Sequence, residues 1–316
     1  MHDERTLDRR ALLGLAAGAG AAAAFGLTRS TALGAGAGGP KLLLPKNLIG
    51  IQLYTVRDQV QSVGFAEVFK RLAKIGYKEI EFAGYTQGTG PITIPQIRKL
   101  MDHYGLAGVG SHVSPSSSNI EQLLDEAEIL GLPYLGISFL VPSNTTTAGW
   151  QQLAEDFNTY GAAAAARGIG FYFHNHFQEF SFTEQPGVRG IDVLLAETDP
   201  ALVYWELDIY WIHVGQYQFG QAPPFTFQPL DYVTPRRSRI PLFHVKDGKR
   251  NPASPFGYDI CDVGAGDIDF RTFFTVVGES KRHHYAMEHD NAADEEGGSL
   301  ASAERSYKYM RNLRGA

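Results

Sequence analysis

Histidines and carboxylates recur in four short apolar runs: FHNHFQEF at 173–180, WELDIYW at 205–211, LFHVKDG at 242–248 and YAMEHD at 285–290. An ionisable group inside an apolar run is costly to bury unless it finds a partner. His, Asp and Glu brought to one place ligate a divalent metal and move protons. The runs follow one another at about 30 to 45 residues, which suits one strand and one helix per step. Groups at the ends of successive parallel strands then converge on one mouth.

The elements that would position them alternate along the chain. Strands are expected over 47–56, 77–84, 106–114, 133–140, 169–176, 202–211, 240–247 and 283–290. Helices are expected over 65–76, 94–105, 118–131, 149–168, 187–198 and 299–313. Eight strands with mostly intervening helices predict an α/β fold, a single-domain (β/α)8 TIM barrel with right-handed crossovers. Two stretches break the rhythm: 212–236, rich in Gln, Pro and Phe, and 248–270, rich in Gly and Asp. Both follow strands that carry candidate site residues, so both read as loops at the mouth.

The N-terminus reads differently. Arg9 and Arg10 precede an uncharged Ala, Gly and Leu run from Ala11 to Thr28, and Ala35–Gly36–Ala37 fits a signal-peptidase site. This is the layout of a cleavable export signal of the twin-arginine type over residues 1–37. The run is too weakly hydrophobic for a stable membrane span. The barrel then occupies 38–316, about 280 residues, in the periplasm. A net charge of −6 gives no electrostatic footprint for nucleic acid. The same balance argues against a metal-dependent endonuclease, which needs a basic face. Cys261 is the single cysteine, so no disulfide forms within the chain. Aromatic residues crowd the strand ends, among them Tyr204, Trp205, Tyr210, Trp211, Tyr217 and Phe219. Such faces suit sugar rings as well as packing.

IGIQLYTVRD, EIEFAGY, SHVS, HNHFQEF, ELDIYW, FHVKD and MEHD stand in order on strands one, two, three and five to eight. This set resembles the xylose isomerase-like sugar phosphate isomerase/epimerase superfamily, in particular its exported, twin-arginine branch, over nearly all of 47–313. The resemblance implies one divalent metal (Mn, Mg, Co or Zn) held by Glu, Asp, His and Glu on strands five to eight. Asp208, His244 and Glu288 match the last three. Tyr172 stands where the strand-five Glu is usual, so Glu179 is expected as the fourth ligand, with His174 and His176 as the alternatives. His174 and His176 share the parity of Tyr172 and should point the same way.

Catalytic roles are expected of His176, Lys246 and Glu288, and substrate binding of His112, His174, Trp211 and Glu81. Lys246, two residues past His244, shares its strand face. The implied activity is metal-dependent isomerisation or epimerisation of an unphosphorylated sugar or keto-sugar through an enediolate. The same intermediate leads to a dehydratase or lyase acting on a keto-inositol or 3-keto-glycoside, and a non-catalytic periplasmic sugar-binding protein is a further alternative. The partners this admits are a small sugar, the twin-arginine export machinery and a second copy of the chain.

Overall fold

The computed structural model describes Pro40–Gly315, except residues 90, 140, 279, 281 and 282. The signal expected over 1–37 lies outside the described residues.

Eight parallel strands close into a barrel: β1 (Ile49–Gln52), β2 (Glu79–Ala83), β3 (Ala107–His112), β4 (Tyr134–Ile137), β5 (Gly170–His174), β6 (Val203–Asp208), β7 (Leu242–Val245) and, eighth around the ring, β10 (His284–Met287). β10 closes it by pairing with β1, Tyr285 opposite Ile49. The remaining strands, β8 (Asp247–Arg250) and β9 (Tyr258–Cys261), form an antiparallel hairpin beyond β7.

The main helices are α1 (Arg57–Ile75), α2 (Ile94–Tyr104), α3 (Ile120–Leu130), α4 (Thr147–Ala166), α5 (Gly190–Glu197), α6 (Ile209–Phe219), α7 (Pro229–Val233), α8 (Phe270–Val277) and α9 (Ser299–Met310). Their ends follow local chemistry. Thr93 and Gln96 make a capping box at the start of α2. Gly105 ends it in the left-handed conformation, φ 65°, and its N–H returns to Met101. The barrel's apolar filling includes Val109, Tyr172 and Leu242, with Tyr134 and Tyr204 packed against them. The Tyr172 ring fits because its neighbours on β3 and β4 are Gly110 and Gly136. A Cβ at Gly136 would collide with the ring, and one at Gly110 would lie 3.2 Å from its hydroxyl.

The structure corrects four expected spans. α1 begins at Arg57, eight residues before the expected helix, with a break at Gly64 where φ is 78°. Strand six stops at Asp208. Ile209–Trp211 open α6 instead, because the Asp208 side chain accepts the Trp211 N–H and caps the helix. Local capping overrides the strand preference of this β-branched and aromatic run. The expected loops 212–236 and 248–270 contain most of α6, all of α7 and the β8–β9 hairpin.

Candidate metal centre

Each candidate side chain owes its place to the two-residue period of its strand. Glu206 and Asp208 on β6 both face inward and are fully buried. His244 and Lys246 do the same at the end of β7, and Glu288 follows β10. His174 ends β5. Asn175 turns outward from this group and ties β5 to β6. Its Oδ1 accepts the Trp205 indole N–H at 2.9 Å and the Asp208 N–H at 3.0 Å.

His174, Asp208, His244 and Glu288 place four candidate ligand atoms within 4.8 Å of one another, all on buried residues. His174 Nε2 lies 3.7 Å, and His244 Nδ1 3.9 Å, from Asp208 Oδ2. His244 Nδ1 is 2.8 Å from Glu288 Oε2. Asp208 Oδ1 takes the Trp211 N–H at 2.7 Å, whereas Oδ2 is buried without a hydrogen bond. The Lys246 ammonium stands against the same carboxylates, 3.1 Å from Asp208 Oδ2, 2.6 Å from Glu288 Oε2 and 3.0 Å from Asp290 Oδ1.

The electrostatics follow from this crowding. Burial pushes the Asp208 carboxyl up to about 6, against the pull of Lys246 and His244. Burial would depress His244, but Glu206, Glu288 and Glu81 together hold it well above the usual imidazole range. His174 is held well below that range by burial, with cationic neighbours adding to it. Burial, reinforced by Lys246, lowers His176 to about 3 and keeps its ring neutral. Four buried carboxylates, Glu81, Glu206, Asp208 and Glu288, are met by the Lys246 ammonium and by the imidazoles of His112 and His244. Buried charge of one sign is expensive unless balanced. A divalent cation among two imidazoles and two carboxylates fits this balance, and the N/O donor set suits zinc, manganese or cobalt.

A second layer lies beneath. His112 Nε2 sits 2.7 Å from Glu206 Oε2 and 3.1 Å from Glu81 Oε1. Tyr172 donates its hydroxyl to Glu81 at 2.6 Å. Above the centre opens a cavity of about 780 Å³, lined by Tyr54, Tyr85, Ser114, Phe139, His176 and Asp290 among others. Trp211 packs against Phe177 and Phe256 beside it, its ring 5.6 Å from the Lys246 ammonium.

Most sequence candidates meet here. Asp208, His244, Glu288, His174, Lys246, His112 and His176 all reach the centre or its cavity. Three lie elsewhere. Trp211 lines a neighbouring pocket with Phe256 and Tyr258 rather than this cavity. Glu179 is absent from the ligand group, because its Oε2 accepts the His176 N–H at 3.0 Å on a tight turn. His174 is the strand-five residue in that group. Glu81 is fully buried among His244, His112 and Tyr172, away from the cavity lining. Arg57 bonds the Asp290 and Tyr54 carbonyls instead of a carboxylate. Lys246 pairs with Asp290 rather than Asp247, whose carboxylate gathers the N–H groups of Gly248, Gly264 and Gly266. Glu206 was missed, although its spacing from Asp208 put it on the same face.

Glu179 carries its own prediction. Burial raises its carboxyl to about 7 from an ordinary value near 4.5. The native state therefore holds this proton where the unfolded chain releases it, and stability falls as pH rises through that window. Glu179→Gln should raise the melting temperature more at pH 8 than at pH 5, with bound metal unchanged. Parallel melting curves, or lost metal, would contradict this placement.

A model of the family described as xylose isomerase-like TIM barrel matches residues 69–313. The chain belongs to that family. Among solved structures, a sugar phosphate isomerase/epimerase from Parabacteroides distasonis aligns at 23% identity, over 90% of this chain and 98% of that one, with a TM-score of 0.65. The 3-keto-D-glucoside 4-epimerase YcjR of E. coli aligns at 14% identity, over 84% and 98%, with a TM-score of 0.59. The IolI protein, solved with a bound zinc atom, aligns at 11% identity, over 83% and 95%, with a TM-score of 0.60. At these identities the likeness concerns the fold. No curated protein matches the sequence. Among the described residues, no helix of this xylose isomerase-like barrel is long and apolar enough to cross a membrane.

Proposed function

We propose that this barrel is a divalent-metal-dependent isomerase or epimerase of an unphosphorylated sugar or keto-sugar. The observation that carries the reading is the buried group of His174, Asp208, His244 and Glu288, with Lys246 on its edge and a polar cavity above. Among the described residues lining that cavity, Lys246 is the only Lys or Arg, so a phosphate finds no basic cradle. Tyr54, Tyr85 and Phe139 offer faces for a sugar ring. The printed names of the sugar isomerase and epimerase neighbours agree with this reading.

His174, Asp208, His244 and Glu288 would hold the ion, and the ion supplies Lewis acidity that offsets charge developing on an enediolate. The other groups belong to the chain alone. The Lys246 ammonium pairs with Asp208, Glu288 and Asp290, and Asp290 is the most exposed of the three. A substrate oxygen replaces Asp290 most readily, and Lys246 then steadies that oxygen's negative charge. His176, on the same wall, is placed to take or return the proton on the adjacent carbon. The cavity is larger than one pyranose ring needs, which favours a second reading, a lyase acting on a 3-keto-glycoside through the same intermediate.

Incubation with keto-sugars and 3-keto-glycosides, followed by NMR, tests the proposal. Turnover should stop on chelation and return with added manganese. Turnover that survives complete chelation would overturn it.

We further propose that residues 1–37 are a twin-arginine signal removed on export to the periplasm, on the strength of Arg9–Arg10 and the uncharged run that follows. Replacing both arginines with lysine should leave the protein in the cytoplasm. Met1 found by N-terminal sequencing of exported protein would refute cleavage.

A further inference from the structure

Two four-residue groups overlap at the barrel mouth and share His174 and His244. One is His174, Asp208, His244 and Glu288; the other is His112, His174, Glu206 and His244. The shared imidazoles are set between them, each turning one ring nitrogen to either group. His174 directs Nε2 to Asp208, and Nδ1 to Glu206 Oε2 at 3.2 Å. His244 directs Nδ1 to Glu288, and Nε2 to Glu81 Oε2 at 2.7 Å and Glu206 Oε2 at 3.3 Å.

A neutral imidazole that ligates through one nitrogen carries its proton on the other, and that N–H needs an acceptor. An ion beside Asp208 and Glu288 leaves the two N–H groups aimed at Glu206 and Glu81. An ion beside Glu206 would leave them aimed at Asp208 and Glu288, and would need a bare Nε2 on His112. The surroundings decide between these arrangements. Gln52 accepts the Tyr54 N–H through Oε1 at 3.1 Å, which turns its amide nitrogen toward His112 Nδ1 at 3.5 Å. The His112 proton therefore belongs on Nε2, between Glu206 and Glu81. Glu81 is further occupied by the Tyr172 hydroxyl. The lower carboxylates thus face N–H and O–H donors at every oxygen but Glu206 Oε1, while Asp208 Oδ2 above makes no hydrogen bond and meets only the Lys246 ammonium, at 3.1 Å.

We propose that Glu206 and Glu81 are positioning residues that accept the N–H groups of His174 and His244. They thereby direct the ligating nitrogens upward and select the Asp208–Glu288 group as the ion's place. This rests on the metal reading of the preceding subsection.

Zinc is the probe, with the full chain. X-ray absorption on the wild-type zinc form should show two imidazoles and carboxylate oxygens per ion. Glu206→Gln should weaken zinc affinity 10- to 100-fold in competition with a chelating dye, the usual cost of losing such an outer partner. His112→Gln should hold affinity within a few-fold. Three imidazoles per zinc, a His112→Gln loss of a hundredfold or more, or unchanged affinity in Glu206→Gln would each overturn the assignment while leaving metal binding intact. Failure of the wild type to bind zinc, manganese or cobalt would instead overturn the metal reading, and this assignment with it.

Discussion

Asp208→Asn should abolish tight binding of a divalent ion, weakening it a hundredfold or more. That exceeds the 10- to 100-fold loss typical of an outer partner, because Asp208 is placed as a ligand itself. Asparagine is the informative change. Asp208 has two jobs on two oxygens: Oδ1 caps α6 through the Trp211 N–H, and Oδ2 faces Lys246, His174 and His244. Asn keeps an oxygen for the cap and removes the charge. Alanine removes both, and loss of the cap alone costs about 1 kcal/mol. Metal content after dialysis, measured by elemental mass spectrometry beside a thermal melt, separates the effects. An Asn variant that keeps full occupancy would remove Asp208 from the ligand set. His244→Ala should lose the ion equally, since both its nitrogens are engaged in the centre.

The second large effect falls on Lys246. Lys246→Met should lower turnover about 10²- to 10³-fold, the range for losing one donor to a developing oxyanion. Metal content should remain. The variant should also become metal-dependent for stability. Without the ammonium, Asp208, Glu288 and Asp290 lose their common cation, and breaking a buried charge pair costs about 3–5 kcal/mol. A divalent ion offsets that repulsion. The melting temperature of Lys246→Met should therefore rise with manganese far more than that of wild type. Equal rises, or full activity, would show that Lys246 serves only as a rim contact.

Much of this centre was legible because strand periodicity is simple. Asp208, His244 and Glu288 each sit in an apolar run at the end of a barrel strand, and alternation alone places His174 inward with Tyr172. The same alternation along Trp205–Glu206–Leu207–Asp208 places Glu206 inward with Asp208. The role of Glu179 was not legible. Three residues past His176 it bonds that residue's own backbone, a local turn that strand patterning does not describe. The start of α6 was obscured for the opposite reason. Ile209, Tyr210 and Trp211 read as strand, yet one carboxylate oxygen at Asp208 was enough to begin a helix. The engagement of Glu81 with His244, His112 and Tyr172 depends on four different strands meeting, and no local pattern carries that information.

The central claim is that these side chains hold an ion where a sugar's carbon acid is deprotonated. Solvent deuterium incorporation tests it most directly. Manganese-loaded protein and a substrate keto-sugar in deuterated water should yield, at partial conversion, recovered substrate or product with deuterium on the carbon beside the carbonyl. That signal should vanish in Lys246→Met and Asp208→Asn. Turnover that proceeds with no deuterium at that carbon and no isotope effect would contradict enediolate chemistry at this centre.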